Sequence, residues 1–379
     1  MREVAHPKAI AGERRISHVD LAAQYAEERD DLLAVIDAVL AKGQYAGGAE
    51  IELLEHELAQ LCETKHAVAL NSGTDALVLG LLALGIGPGD EVITPPNSFV
   101  ASTAAIVHVG ARPVFVDVLD DQNIDHTRIE AALTSHTKAI MPVHLTGRIC
   151  DMDPILDIAR KHDLKVIEDA AQAIGSRYRG RSSGSFGEIG CFSAHPLKNL
   201  NACGDSGFIT TNDEGVAATV RLLRNHGLVD RNSVTRFGVV SRMDTLQAAI
   251  LRYRLRRLPS IIERRRANVE RYRQILDPER MFVPPERPHE HIAYHTLVIQ
   301  VDRRDELWAY LSERGIGTAI HYPIPIHLQP AAAQLGHAAG SFPNCERQAR
   351  RILTLPIHPW LVGEDIQRAA AAVNAFVQG

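Results

Sequence analysis

The sequence predicts an α/β fold, with a mostly parallel central sheet covered by helices on both faces and a smaller C-terminal α+β domain. Short β-rich apolar stretches alternate with helix-like stretches through the first half of the chain. After about residue 210 the pattern turns to long, charged helical stretches. The length, 379 residues, suits one large core and one small one rather than a single domain. Strand and helix in alternation imply right-handed crossovers, with ligands gathered where strand ends feed helix starts.

In chain order, Ile51 to Leu61 reads as an amphipathic helix and His66 to Leu70 as a short buried strand running into Asn71-Ser72-Gly73-Thr74-Asp75. A helix from Ala76 to Leu84 follows. Glu91 to Thr94, Arg112 to Val116, Lys138 to Val143 and Leu164 to Ile167 read as strands, separated by helix-like Phe99 to Val109 and Asp153 to His162. Helices are expected over Asp244 to Arg257 and Ser260 to Ile275, interrupted at Pro259, where a domain junction is placed. The expected division is a large domain over 1–258, with an N-terminal arm over 1–30, and a small domain over 259–379. The small domain takes a strand-like Thr296 to Val301, a helix from Asp305 to Arg314 and a final helix.

Composition excludes several classes. A net charge of −5 argues against a general nucleic-acid binder. Apolar runs fall short of the roughly 20 residues that a membrane-spanning helix needs. Met1 to Arg15 is polar, without the apolar core of a secretory signal, so a cytoplasmic protein is expected. Five widely spaced cysteines without a C-x-x-C pair fit reduced thiols better than disulfides or zinc.

Three segments carry chemistry. Asn71 to Asp75 sets glycine and small hydroxylated residues at a helix start after a strand, where amides and the helix dipole bind phosphate; taken alone, the segment is better explained by a plain cap from Ser72 or Thr74. Val166 to Gln172 ends an apolar strand on an acid, Asp169, facing the crevice, or else merely capping the next helix. Gly190 to Asn199 places Lys198 among small and apolar residues, followed by glycines at Gly204 and Gly207. Burial lowers a lysine's pKa and leaves the neutral amine that attacks an aldehyde.

These segments, with Gly87-Pro88-Gly89-Asp90-Glu91-Val92 and Arg224-Asn225-His226-Gly227, resemble the signatures of the DegT/StrS-type sugar aminotransferases, in order from about Val19 to the C-terminus. The resemblance implies the fold type I architecture of pyridoxal-phosphate (PLP) enzymes and amino transfer from an amino acid such as L-glutamate to a keto-sugar, most often nucleotide-linked. It implies a homodimer with a composite site, while the charge, the short apolar runs and the histidine spacing leave no nucleic-acid, membrane or metal partner expected. Lys198 would be the Schiff-base lysine and proton carrier, Asp169 the partner of the pyridine nitrogen and Gln172 that of the phenolic oxygen. Ser72, Gly73, Thr74 and Ser193 would hold the phosphate. Phe99 would stack on the ring, or fill a core. His321 and Tyr322 would face the substrate, with Arg242 a further candidate. The family usually has a partner-subunit asparagine at the position of Val240, which cannot donate to phosphate; Asn232, Arg236, Ser241 or Arg242 would have to substitute.

Rival readings are a keto-cyclitol or non-nucleotide keto-sugar acceptor, a sugar dehydratase and a non-catalytic ligand sensor; a dehydratase would carry histidine in place of Lys198 and a sensor would lack the lysine or the acid, whereas both are present here. A nicotinamide dehydrogenase is excluded because Gly85-Ile86-Gly87-Pro88-Gly89 follows a helix and precedes a strand. Gly180-Arg181-Ser182-Ser183-Gly184 has the spacing of a hydrolase elbow but reads as a polar loop. His289, His291 and His295 read as surface residues, and the arginines from Arg252 to Arg273 as a solvated helix or subunit contact.

Overall fold

The structure, a computed structural model, describes residues 14–379. The start of the expected N-terminal arm therefore lies outside the described residues. Seven strands form the main sheet: β1 (His66–Leu70), β2 (Glu91–Thr94), β3 (Arg112–Phe115), β4 (Thr137–Ile140), β5 (Lys165–Asp169), β6 (Ile189–Ser193) and β7 (Gly207–Thr211). Their order is β1-β7-β6-β5-β4-β2-β3. Only β7 runs antiparallel to its neighbours.

Period-two alternation sorts the strand residues between two apolar layers. Val68, Leu70, Ile189, Cys191 and Ile209 face one way, into a core closed by α3 (Gly73–Ala83), α4 (Val100–His108) and α6 (Glu214–Leu223). Ala67, Ala69, Phe192 and Phe208 face the other way, under α2 (Ala49–Leu61) and α7 (Thr245–Leu255). Phe192 and Phe208 stack with ring centroids 4.6 Å apart, adding to that layer beyond their buried area. Asp20 caps α1 (Leu21–Lys42), accepting from the Ala23 amide at 2.8 Å, and left-handed Gly43 ends it.

Pro259 does not interrupt a helix. It sits in the first turn of α8 (Leu258–Ile275), where its missing N–H would have had no partner. Helix α8 serves two cores: Ile262 packs under α7, whereas Val269 and Tyr272 enter a second cluster. That cluster is built by β8 (Leu297–Gln300), antiparallel β9 (Ile352–Leu355), α9 (Arg304–Glu313) and α11 (Gly363–Gln378), and Ile16 from the far end of the chain is buried in it.

Gly180 to Gly184 is a tight hairpin, with Arg181–Ser182 paired to Arg177–Tyr178. Ser182 and Ser183 donate to the carbonyls of Leu61 and Ala173, so both hydroxyls serve the fold.

Candidate active site

The carboxyl ends of the parallel strands converge on one edge of the sheet, and the predicted residues other than Arg242 gather there. At the end of β5 two successive acids point to opposite faces. Glu168 is fully buried and accepts from His144 and from the amides of Gly184, Phe186 and Gly187, which makes it a structural anchor. Asp169, also buried, faces the cleft. Its carboxylate accepts from Ser102 Oγ at 2.6 Å and from the Ala171 amide at 3.1 Å. Ser102 stands in the first turn of α4, and no motif in the sequence marked it; its one signal is its place three residues after Phe99.

Lys198 lies on the loop after β6. Burial lowers its amine from 10.5 to about 8, while the nearby Asp169 carboxylate pulls it the other way. Two imidazoles share its surroundings. His321 is pushed down to about 4 by burial and then by the Lys198 charge, and His295 is pushed well down by the same two causes in the same order. His295 is thus not a surface residue: the chain that carries it folds back over Gly147, so close that a Cβ there would come within 2.8 Å of the His295 amide. Its proline-rich surroundings had pointed to a solvated loop.

An amine that is harder to protonate in the folded state lets the unfolded chain bind more protons between about pH 8 and pH 10.5, so stability of the cofactor-free protein rises with pH across that window. A Lys198→Met variant is expected to be more stable than the parent by about 3 kcal/mol near neutral pH, with the gain gone above the window. Denaturant melts of both cofactor-free proteins across that range test it, and a pH-independent difference refutes it.

The helix start after β1 forms the second part of the site. Ser72 Oγ caps α3 by accepting from the Asp75 amide at 3.1 Å, so the capping reading of that serine holds. As the first helical residues, Gly73 and Thr74 have no carbonyl one turn back for their amides, which are left to serve a ligand. Gly73 packs on Ser193 at the end of β6: an added Cβ would lie 2.6 Å from the Ser193 Cβ. Beside it Gly207 opens β7, where a Cβ would meet the Ser72 carbonyl carbon at 2.3 Å. These contacts join the α3 start, β6 and β7 into one cradle.

Gln172 is buried, and its Oε1 accepts from the Thr146 amide at 2.8 Å, which leaves its amino group as a donor. Tyr322 stands beside Gln172 and near Asp169, and burial raises its phenol. Its ring centroid is 5.9 Å from that of Phe99. Phe99 is 56% exposed, which removes the core-filling reading and leaves its ring open to the cleft. His321 Nδ1 is 2.9 Å from Thr354 Oγ1 on β9, so the second core positions this wall.

Arg242 and Val240 lie elsewhere. Arg242 donates to Asn225 at 3.2 Å and lines a separate recess with Ala46, Gly47 and Arg224. Val240 is bridged to Asn225 and is 53% exposed on the same hairpin.

The donor set fits PLP. A buried carboxylate faces a depressed lysine across a cleft, and free helix-start amides stand where the phosphate would lie. Comparison with known proteins agrees. The model of the DegT/DnrJ/EryC1/StrS aminotransferase family matches residues 26–374. A UDP-N-acetyl-3-dehydro-alpha-D-glucosamine 3-aminotransferase of Acidithiobacillus ferrooxidans is 43% identical over 96% of this chain and 98% of its own. The crystal structure of Streptomyces venezuelae DesV in complex with a ketimine intermediate superposes with a TM-score of 0.94 at 42% identity, covering 97% of this chain and 100% of that one. NtdA of Bacillus subtilis with bound cofactor PMP gives a TM-score of 0.88 at 34% identity, over 93% of this chain and 82% of its own.

Proposed function

Because the chain belongs to the DegT/DnrJ/EryC1/StrS aminotransferase family, we propose that it moves an amino group from an amino acid, L-glutamate, onto the keto carbon of a nucleotide-linked sugar. It is a PLP-dependent aminotransferase. The observation that carries the site assignment is the pairing of buried Asp169 with a lysine whose amine is depressed by burial.

PLP supplies an aldehyde that takes the donor nitrogen and a pyridinium that draws electrons from the adjoining carbon. Around it each residue has one task. Asp169, oriented by Ser102 and the Ala171 amide, holds the proton on the ring nitrogen. The Lys198 amine, brought down by burial to about 8, accepts the proton from the substrate carbon and returns it. Gln172 donates to the phenolic oxygen. Gly73 and Thr74 amides, with Ser72 and Ser193, bind phosphate, and Phe99 with Tyr322 keeps water off the ring faces. His321 contacts the sugar.

We place the cofactor in the large domain over 1–258 and the wall formed by His321 and Tyr322 in the small domain over 259–379. No helix among the described residues is long and apolar enough to cross a membrane. Four of the five free cysteines are buried, which suits a reducing cytoplasm. A homodimer is supported by apolar side chains left in water: Tyr25, Leu40, Tyr45, Val239, Val240 and above all Phe237, which is 98% exposed. In that dimer the hairpin bearing Val240 and Arg242 meets the partner's phosphate cradle. A Val240→Asn substitution is expected to tighten PLP binding by several-fold, about 1 kcal/mol; an unchanged PLP dissociation constant counts against this alignment.

The test is to convert the bound cofactor with glutamate, follow its absorbance, and screen keto substrates for reversal. Reversal by UDP- or dTDP-linked keto-sugars supports the reading. Reversal by a keto-cyclitol or free keto-sugar alone replaces it.

A further inference from the structure

Strand β6 ends at Ser193 and β7 begins at Gly207, so Lys198 rides on a loop with no helix or strand of its own. An amine that must meet the cofactor aldehyde and then the substrate carbon needs its backbone held as well as its side chain. Backbone hydrogen bonds close the base of the loop, from Ala194 to the Ser206 carbonyl and from Ala202 to the Ala194 carbonyl, each at 2.8 Å. Nearer the lysine, side chains take over. Asn199 donates to the Ala293 carbonyl at 2.9 Å, and Asn201 Nδ2 reaches back across the loop to the Pro196 carbonyl at 2.7 Å.

Asn201 is itself set by a residue 177 positions earlier. Gln24 of α1, buried like Asn201, faces it amide to amide: Gln24 Nε2 donates to Asn201 Oδ1 and Asn201 Nδ2 to Gln24 Oε1, both at 3.0 Å. Asn201 has to turn its amino group toward Pro196, because a carbonyl only accepts, and that choice fixes the Gln24 amide too. One turn further along α1, Glu28 pairs with Arg254 of α7, and Arg254 Nη1 donates to the Asn201 carbonyl at 2.8 Å. Helix α1 is seated on α7 without the amide pair, through Leu32 packed against Ile250 and Tyr253. Removing Gln24 leaves Asn201 Oδ1 buried without a donor and loosens its grip on Pro196, two residues before Lys198.

We propose that Gln24, acting through Asn201, is a positioning residue for Lys198: the amide pair holds the loop in the arc from which the amine reaches both the cofactor aldehyde and the substrate carbon. The inference rests on the assignment of Lys198 as the covalent and proton-carrying amine.

The experiment follows single-turnover conversion of the PLP-loaded protein by L-glutamate, expressed per molecule that carries the covalent absorbance band. Gln24→Met, which keeps the length and removes both hydrogen bonds, is expected to react about tenfold or more slowly, with the glutamate concentration for half-maximal rate within about twofold of wild type. Gln24→Glu, which turns an oxygen toward Asn201 Oδ1, should show a loss of the same kind and serves if the methionine does not fold. Leu32→Ala separates positioning from stability: its Tm should fall by about 5 °C or more while each loaded molecule reacts at the wild-type rate. A Gln24→Met enzyme as fast as wild type, or slowed no more than Leu32→Ala, overturns the inference and leaves the functional reading standing. If neither Gln24 variant holds PLP covalently, the pair serves the fold alone and the inference is likewise overturned. Wild type that glutamate leaves unconverted overturns the functional reading, and the inference falls with it.

Discussion

Replacing Lys198 by alanine is expected to lower amino transfer on the order of 10⁴-fold and to abolish the visible absorbance of covalently held cofactor. Two losses combine in that one change. The amine that holds the aldehyde disappears, and so does the base that carries the proton to and from the substrate carbon. The same environment serves both roles, because burial brings the amine to about 8, where its neutral and charged forms are both accessible near physiological pH. Added small amines should restore part of the turnover in Lys198→Ala without restoring the covalent band. A variant that keeps the band would remove Lys198 from its assigned place altogether.

Asp169→Asn is the second large effect, a fall of about 10³-fold. The asparagine fills the same volume but carries no charge, so the pyridine nitrogen loses the group that keeps it protonated. Binding should suffer far less than turnover, since the amide still hydrogen-bonds. Ser102→Ala, which leaves the charge and removes its 2.6 Å donor, should cost only about tenfold. Single-turnover rates for the three proteins give the ranking, and an Asp169→Asn enzyme as fast as Ser102→Ala would refute the role given to the carboxylate.

Legibility in the sequence followed the physics of each feature. Strands such as β1 and β2 were read to the residue because a sheet buried on both faces demands continuous apolar runs between turns. Lys198, Asp169 and the α3 start were legible as local motifs. Ser102, Thr146 and His295 were not, because each reaches the site through a tertiary contact that no spacing records. The arginines of α7 and α8 were read as solvated or intersubunit, whereas Arg252, Arg254, Arg257, Arg264 and Arg266 close ion pairs inside the chain with Glu50, Glu28, Glu27 and Glu286. Periodicity identifies a charged helix face; it does not say what lies opposite. Pro259 misled for a related reason, since a proline that would break a helix interior is well suited to its first turn.

The antiparallel strand β7 also sets an order on how the protein is made. As the chain leaves the ribosome, β2 to β6 can pair as they emerge, but β1 has no sheet neighbour except β7. Until residue 211 is out, β1 and β6 each present an open edge, the kind of surface that pairs with the wrong chain. The phosphate cradle spans that same gap, with Gly73 on one side, Ser193 on the other and Gly207 between. A nascent chain therefore cannot hold the cofactor by its phosphate until more than half of it has been synthesised, and a chain cut short before β7 should be a substrate for chaperones and proteases rather than a PLP-binding fragment.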